Sequence, residues 1–285
     1  MTPDLDAAIS FVATHARILE RRRLDFLLNG GPAEPVLAAL DGYRNPDGGY
    51  GWALEPDLRS ATSQPVGAMH ALEVIAEAGD TSRLPSLLDW LTGHANADGG
   101  MAFSLPFPDH EGCAPHWTAA DPASSVTMTT QLAAHAHRAG VRDHPWLRAA
   151  TAWCLDTMER ITAPPHAIEL MFSMLFLDAV ADEQPRAKAL LERYTDFVRL
   201  DGPTPVAGGA DGEALFPLDF TPHADAPSRA YFSPEAITAD RERLAAQQKP
   251  DGGWDVSFQT FSPAAALEWR GYATVQAIKV LTGAA

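Results

Sequence analysis

The chain has 285 residues, 46% of them hydrophobic, and a formal net charge of −16 at pH 7. That length and apolar content can bury a large core, while the charge argues against nucleic acid as a partner, because phosphate binding needs a basic footprint and no cluster exceeds Arg21-Arg22-Arg23. Cys113 and Cys154 form no CxxC pair and have no companion ligands at zinc spacing, so neither a disulfide framework nor a sequence-evident structural metal site is indicated, and both are expected in packing roles.

The N-terminal Met1-Thr-Pro-Asp-Leu-Asp is acidic and lacks an apolar core segment, which predicts a soluble, cytoplasmic protein. Apolar residues then recur at helical spacing over Leu5 to Leu28, Ala33 to Tyr43, Ser63 to Ala78, Leu84 to His94 and Ser124 to Ala139. The pattern continues over Pro145 to Arg160, His166 to Val180, Gln184 to Leu200, Ser233 to Gln248 and Ala266 to Leu281. No segment reads as a strand, so the chain is predicted to be all-α. Start signals stand at Ser63 before Pro65, Asp143 before Pro145 and Ser233-Pro234-Glu235, and stop signals at Gly79, Gly93 and Gly140. The run Leu170 to Leu177 is far too short to cross a bilayer and is most cheaply a buried inner helix, although a membrane-dipping patch is the alternative.

One phrase organises these helices. Asp-Gly-Gly recurs at Asp47, Asp98 and Asp251, at intervals of 51 and 153 residues, the second three times the first. Degenerate copies are therefore expected near 149 and 200, where Asp201-Gly202 fits the second. About five repeats of roughly 51 residues call for a repeat architecture. Charged helices such as Pro234 to Gln248 suit an outer ring and neutral ones such as Ser124 to Ala139 an inner ring, which gives a single-domain α/α toroid over 1–285. The Pro-, Gly- and Asp-rich segment 203–232 breaks the pattern and is a candidate lid or insertion loop.

At Leu244-Ala-Ala-Gln247-Gln-Lys-Pro-Asp-Gly-Gly-Trp254 the chain resembles the glutamine-tryptophan repeat of the terpenoid cyclase and protein prenyltransferase superfamily. In the first two copies Tyr43 and His94 stand at the glutamine position, and Tyr50 and Met101 at the tryptophan position. The resemblance implies the toroid fold and an isoprenoid or other small hydrophobic ligand. Its activity motifs are largely missing. Glu55-Pro-Asp57, Thr118-Ala-Ala-Asp121 and His223-Ala-Asp225 do not match the Asp-x-Asp-Asp acid of class II cyclases, and no Asp-Asp-x-x-Asp magnesium motif occurs. Glu268 to Thr274 lacks the Cys and His of the zinc-dependent prenyltransferases, so no metal or other cofactor is expected.

Acid-initiated cyclisation needs a carboxylic acid in a dry cavity with aromatic faces that stabilise cations. Asp57 and Asp121 are the leading candidate proton donors, with Glu55 and Glu268 as further acids, all near the starts of inner helices where ordinary capping is the alternative role. Trp52, Trp117, Trp254 and Trp269 are candidate ligand-lining residues, and Arg59, Arg229 and Arg270 candidate grips for an anionic group. Glu268 and Arg270 are equally suited to a salt bridge that closes the toroid. His70, His135 and His137 fall on inner helices as core or lumen residues; His135 and His137, two apart, do not share a helix face. The expected function is a metal-independent terpene cyclase or isomerase of the class II type. The alternatives are a non-catalytic binding module and a carbohydrate-active toroid, which needs two acids facing each other at roughly 5 to 9.5 Å.

Overall fold

A computed structural model describes residues 2–119 and 121–283. The helices are α1 Leu5–His15, α2 Ile18–Asn29, α3 Glu34–Leu40, α4 Pro65–Ala78, α5 Leu84–His94, a single turn α6 Pro115–Thr118, and α7 Val126–Arg138. They continue with α8 Pro145–Arg160, α9 Ala167–Val180, α10 Pro185–Thr195, the short α11 Pro217–Phe220, α12 Pro234–Ala246 and α13 Pro263–Thr282. Helices α4, α7, α9 and α13 form the inner wall and α3, α5, α8, α10 and α12 the outer, the α/α toroid that the periodicity predicts. Among the described residues, no helix is long and apolar enough to cross a membrane.

Local chemistry sets most boundaries. Ser125, Ser233 and Ser262 accept from the backbone N–H groups of Met128, Ala236 and Ala265 at 3.2, 3.1 and 3.0 Å, capping α7, α12 and α13. Ser63 does not cap α4: Gln64 holds the N-cap position and spends its side-chain amide on the Leu105 backbone rather than on a cap, and the Ser63 hydroxyl donates to Asp47. The expected single helix from Leu5 to Leu28 is two, because Ala16 and Arg17 are extended. That corner is where α13 crosses most closely: a Cβ on Gly271 would lie 2.8 Å from that of Ala16.

The Asp-Gly-Gly phrases build the same clasp twice. Asp47 Oδ1 accepts from Gly49 N at 2.9 Å and Ser63 Oγ at 2.8 Å, and its Oδ2 from Trp90 Nε1 of α5 at 3.2 Å. Asp98 repeats this with Gly100 N, Ser124 Oγ and Trp153 Nε1 of α8 at 3.0, 2.7 and 3.0 Å. Each aspartate thus ties its own loop to an inner-helix start and to the next outer helix. At Asp251 the same atoms meet Gly253 N and the Arg270 guanidinium. Gly48, Gly99 and Gly252 share φ of 91, 93 and 93°, where a side chain is strained.

Two sequence expectations are corrected here. Position 149 lies inside α8, so no loop copy occurs there; the α8–α9 connection falls instead at 161–166. The segment 203–232 contains an antiparallel hairpin pairing Thr204–Pro205 with Ala214–Leu215, against the expectation of no strand. It continues through α11 and a 3-10 turn at Pro227–Tyr231, and occupies the place where an inner helix would follow α10. Phe220, Thr221 and Ser228 are fully buried, and Asp178 of α9 accepts from Ser228 N at 2.7 Å and Ser228 Oγ at 2.6 Å.

The main apolar core runs through α3, α4, α5, α7, α8, α9 and α10, and a smaller one joins Phe11 and Val12 of α1 to Trp254, Val275 and Ile278. Leu170, Met174, Phe176 and Leu177 of α9 are sealed in the main core. Each such side chain contributes about 1.5 to 3 kcal/mol over an exposed one, which accounts for these four residues of the apolar run without a membrane.

Candidate functional site

The first inner helix and the last are joined by a row of buried and half-buried polar contacts. On α13, residues 268, 269, 272, 276 and 279 fall on one face, and each meets a group from the Glu55–Arg59 loop or α4. Arg59 Nη1 donates to Glu268 at 2.9 Å, Trp269 Nε1 donates to Asp57 Oδ2 at 2.8 Å, Tyr272 Oη donates to Glu73 at 3.2 Å, and Lys279 Nζ pairs with Glu77 at 3.3 Å. Gln276 also donates to Glu73. Arg23, 1% exposed on α2, pairs with both Glu73 and Glu77 at 3.0 and 2.9 Å.

Buried ions carry a desolvation penalty of several kcal/mol each, so this row persists only because each charge is matched. Burial opposes ionisation of Arg23, yet Glu77 and Glu73 hold its pKa well above the ordinary value. Burial likewise opposes the Glu73 carboxylate, and Arg23 with His70 pulls its pKa well below. The Tyr272 phenol is pushed far up by burial and by Glu73.

Within this row His70 sits between two acids. Its Nε2 is 2.9 Å from Glu55 Oε2 and its Nδ1 3.5 Å from Glu73 Oε2. Burial opposes charging of the ring, but the hydrogen bonds and fields of Glu55 and Glu73 outweigh it and raise its pKa to about 9. At neutral pH it is an imidazolium, sealed at 5% exposure beside Glu55 at 6%. Trp269 and Tyr272 meet the ring edgewise at 6.1 and 5.5 Å between centroids. Further rings continue outward: Phe258 against Trp269 at 5.0 Å, His116 against Phe261 at 5.9 Å, and Phe103 stacked on Trp117 at 4.7 Å. His116, whose pKa burial lowers, feels the fields of Glu55 and Asp57, which places this aromatic group beside the acids. The buried Trp117 Nε1 has no hydrogen-bond partner among the described residues.

Of the residues singled out from sequence, Glu55, Asp57, Arg59, Glu268 and Trp269 come together here, with Trp117 nearby. Asp57 has both oxygens engaged, Oδ1 by Phe261 N at 3.0 Å and Oδ2 by Trp269. Asp121 is exposed and caps its own loop at Ala123 N. Trp52 is 57% exposed, with its indole donating to Asn45; it and Ala53 hold φ of 56 and 58°, with Arg17 donating to the carbonyls of Ala53 and Leu54. Trp254 lies in the second core and donates to Leu244 O at 2.8 Å. Arg229 is spent on Thr221, and Arg270 on Asp251 and Asp255, so Glu268 closes the ring with Arg59 rather than with Arg270. Cys113 Sγ accepts from Arg59 N, and Cys154 is buried.

Sequence reading gives Arg23, Glu73 and Tyr272 no place in the site, and gives His70 only that of a core or lumen histidine. Their signal is weak: Glu73 and Glu77 are charges in an otherwise apolar inner helix, spaced four apart after His70. Surface clefts of about 400 and 250 Å³, lined by Thr2, Asp4, Gln248 and Lys249 and by Pro3, Arg241 and Glu242, touch none of the candidate residues. Among the described residues no group of three or more His, Cys, Asp or Glu is arranged to hold a metal ion.

No protein-family model matches the chain, and no curated protein does. Solved structures do match. The type II terpene cyclase MstE from Scytonema, as an aspartate-to-asparagine variant in complex with its substrate geranylgeranyl dihydroxybenzoate, is 13% identical with a TM-score of 0.61, over 98% of this chain and 96% of that one. An aspartate-to-alanine variant of the same cyclase with its product merosterolic acid A gives 14% and 0.59, over 98% and 95%. The chain therefore resembles the terpenoid cyclase superfamily in fold from end to end, and identity this low carries the fold alone.

Proposed function

We propose that this protein handles an isoprenoid inside the toroid and acts on it as an acid-initiated, metal-independent cyclase or isomerase. The observation that carries the reading is the Glu55–His70 pair: a sealed carboxyl group whose Oε2 accepts from an imidazolium at 2.9 Å, flanked by the rings of Trp269 and Tyr272. In the proton-loaded form of the Glu55–His70 pair, the O–H bond of the Glu55 carboxyl group breaks as its proton passes to an alkene carbon, whose π pair forms the new C–H bond and leaves a carbocation. The imidazolium stabilises the carboxylate left behind, and the aromatic faces stabilise the cation. Returning a proton from a neighbouring carbon to Glu55 closes the cycle without oxidation. Glu55 is preferred over Asp121, which faces water, and over Asp57 because Glu55 alone of the three is paired with an imidazolium; its Oε1 also accepts from Asp57 N, but at 3.3 Å, longer than the 3.0 and 2.8 Å bonds that hold the Asp57 oxygens. That the cyclase of like fold takes a geranylgeranyl substrate supports the choice of ligand class.

The test is incubation with squalene and a series of prenyl diphosphates, with and without chelator, followed by product analysis. Conversion that survives chelator and falls at least 100-fold in Glu55→Gln, with ligand binding retained, is the expected result; conversion unchanged in Glu55→Gln removes Glu55 as the donor.

One observation favours a second reading, a binding module without catalysis: Arg59, Glu268, Arg270 and Asp57 are all matched by protein partners. Retained ligand with no product in any incubation would select it.

A further inference from the structure

A second group of ionisable side chains lies toward the C-terminal ends of the inner helices α7 and α13. His135 and Arg138 stand in the last turn of α7, Lys279 near the end of α13, and His223 in the 203–232 segment that docks on α9 through Asp178 and Ser228. Arg138, His135 and Lys279 all act electrostatically on the His223 ring, which places the four together.

Their bonding sets them apart. Every other described arginine that is not fully exposed donates to a carboxylate or carbonyl group, including Arg17, Arg23, Arg59, Arg83, Arg193, Arg229, Arg241, Arg243 and Arg270. Arg138 is half-buried and has no ion pair or hydrogen bond to any described residue; Asp178 and Asp225 act on it only at longer range. The rings of His135 and His223 are also half-buried and without a hydrogen bond among the described residues. A guanidinium withdrawn from water and left unmatched carries a desolvation cost that a ligand anion would offset. Asp178, near the end of α9, acts on Arg138, and from that end Ala179, Leu175, Phe172, Met171 and Ile168 run back along the helix as one apolar stripe that stays half-open, as does Glu169, while the rest of that helix is sealed.

We propose that Arg138, His135 and His223 form an anion-binding site beneath the 203–232 segment, which takes the phosphate or carboxylate head of an amphiphile whose apolar tail lies along the α9 stripe. The tail rests on the isoprenoid reading above; the anion site does not. Burial, the largest influence, holds His135 at about 4 and His223 at about 3, so both rings are neutral at pH 7 in the empty protein. The groups facing them are Glu73 and His70 of α4, Arg138 of α7 and Lys279 of α13, the last already paired with Glu77. An arriving anion favours the protonated rings, so binding takes up protons.

Calorimetric titration at pH 7 with inorganic diphosphate, farnesyl diphosphate, farnesoic acid and farnesol tests this. Farnesyl diphosphate or farnesoic acid, according to the head the site prefers, should bind at least tenfold tighter than farnesol. Arg138→Gln should remove that advantage and His223→Asn reduce it several-fold, and proton uptake should appear as a heat that varies with buffer ionisation enthalpy. Farnesol binding as tightly as both anions, or affinities unchanged in both variants, would overturn the site and leave the isoprenoid reading intact. Inorganic diphosphate binding that a prenyl tail does not improve supports the site and removes the isoprenoid.

Discussion

The Trp269 indole reaches across 212 residues of sequence to donate to Asp57 Oδ2 at 2.8 Å, while Phe261 N holds the other oxygen at 3.0 Å. Both donors are stranded in Asp57→Ala. Losing two bonds to a buried carboxylate should cost about 2 to 4 kcal/mol, whereas Trp269→Phe, which removes one donor, should cost about half. Thermal unfolding of the two variants measures this, and an Asp57→Ala melting point equal to that of the parent would exclude a clasp role for Asp57.

His70 gives the protein an alkaline limit. Its folded pKa of about 9 lies above the ordinary 6.5, so its stabilisation is complete below about 6.5 and is lost as pH rises through 9. The shift corresponds to on the order of 3 kcal/mol. Melting temperatures taken from pH 6.5 to 10 should fall in the parent and flatten in His70→Gln; parallel curves would show that His70 does not titrate with unfolding.

Asp178 works in the same direction on the acid side. Burial, only partly offset by Ser228, lifts its pKa from 3.8 to about 6. The stability tied to the protonated form is fully present below about 3.8 and disappears as pH rises through 6. Asp178→Asn should therefore lose part of the parent's slope between pH 4 and 6, on the order of 2 to 3 kcal/mol across that window. Chemical denaturation at pH 4.5 and 6.5 compares the two.

At the second clasp, Gly99 holds φ of 93° and an added Cβ would lie 2.9 Å from Ala149 C and O. Gly99→Ala should cost about 1 to 3 kcal/mol. Gly93→Ala, with open space around its Cβ position, should be neutral or slightly stabilising. Equal melting temperatures for the two would mean that the clasp relaxes freely.

Much of this architecture is legible in the residues. Leu84–His94 and Pro145–Arg160 fall where periodicity puts them, because proline starts and apolar spacing are local signals. The Asp47 and Asp98 clasps are legible as a repeat but not as bonds, since their tryptophan partners Trp90 and Trp153 lie in the next outer helix, outside the phrase. The Glu55 and Asp57 neighbourhood is visible as acids before an inner helix. Its meaning is not, because His70 bridges Glu55 to Glu73, and Tyr272 and Arg23 reach Glu73, only through three-dimensional pairing. Arg138 is the hardest case: what distinguishes it is the absence of a partner among the described residues, and sequence records no partners.

The row of contacts along α13 also orders the events of synthesis. Glu73 and Glu77 leave the ribosome some 200 residues before Tyr272, Gln276 and Lys279. Until then the nascent ring is an open arc in which Glu73 and Glu77 share Arg23 of α2 as an earlier-made partner. Pairings of such sequence separation are slow to form. The helix that brings the missing partners is thus the timing element of the fold: the arc becomes a ring, and its interior dry, only when that helix arrives.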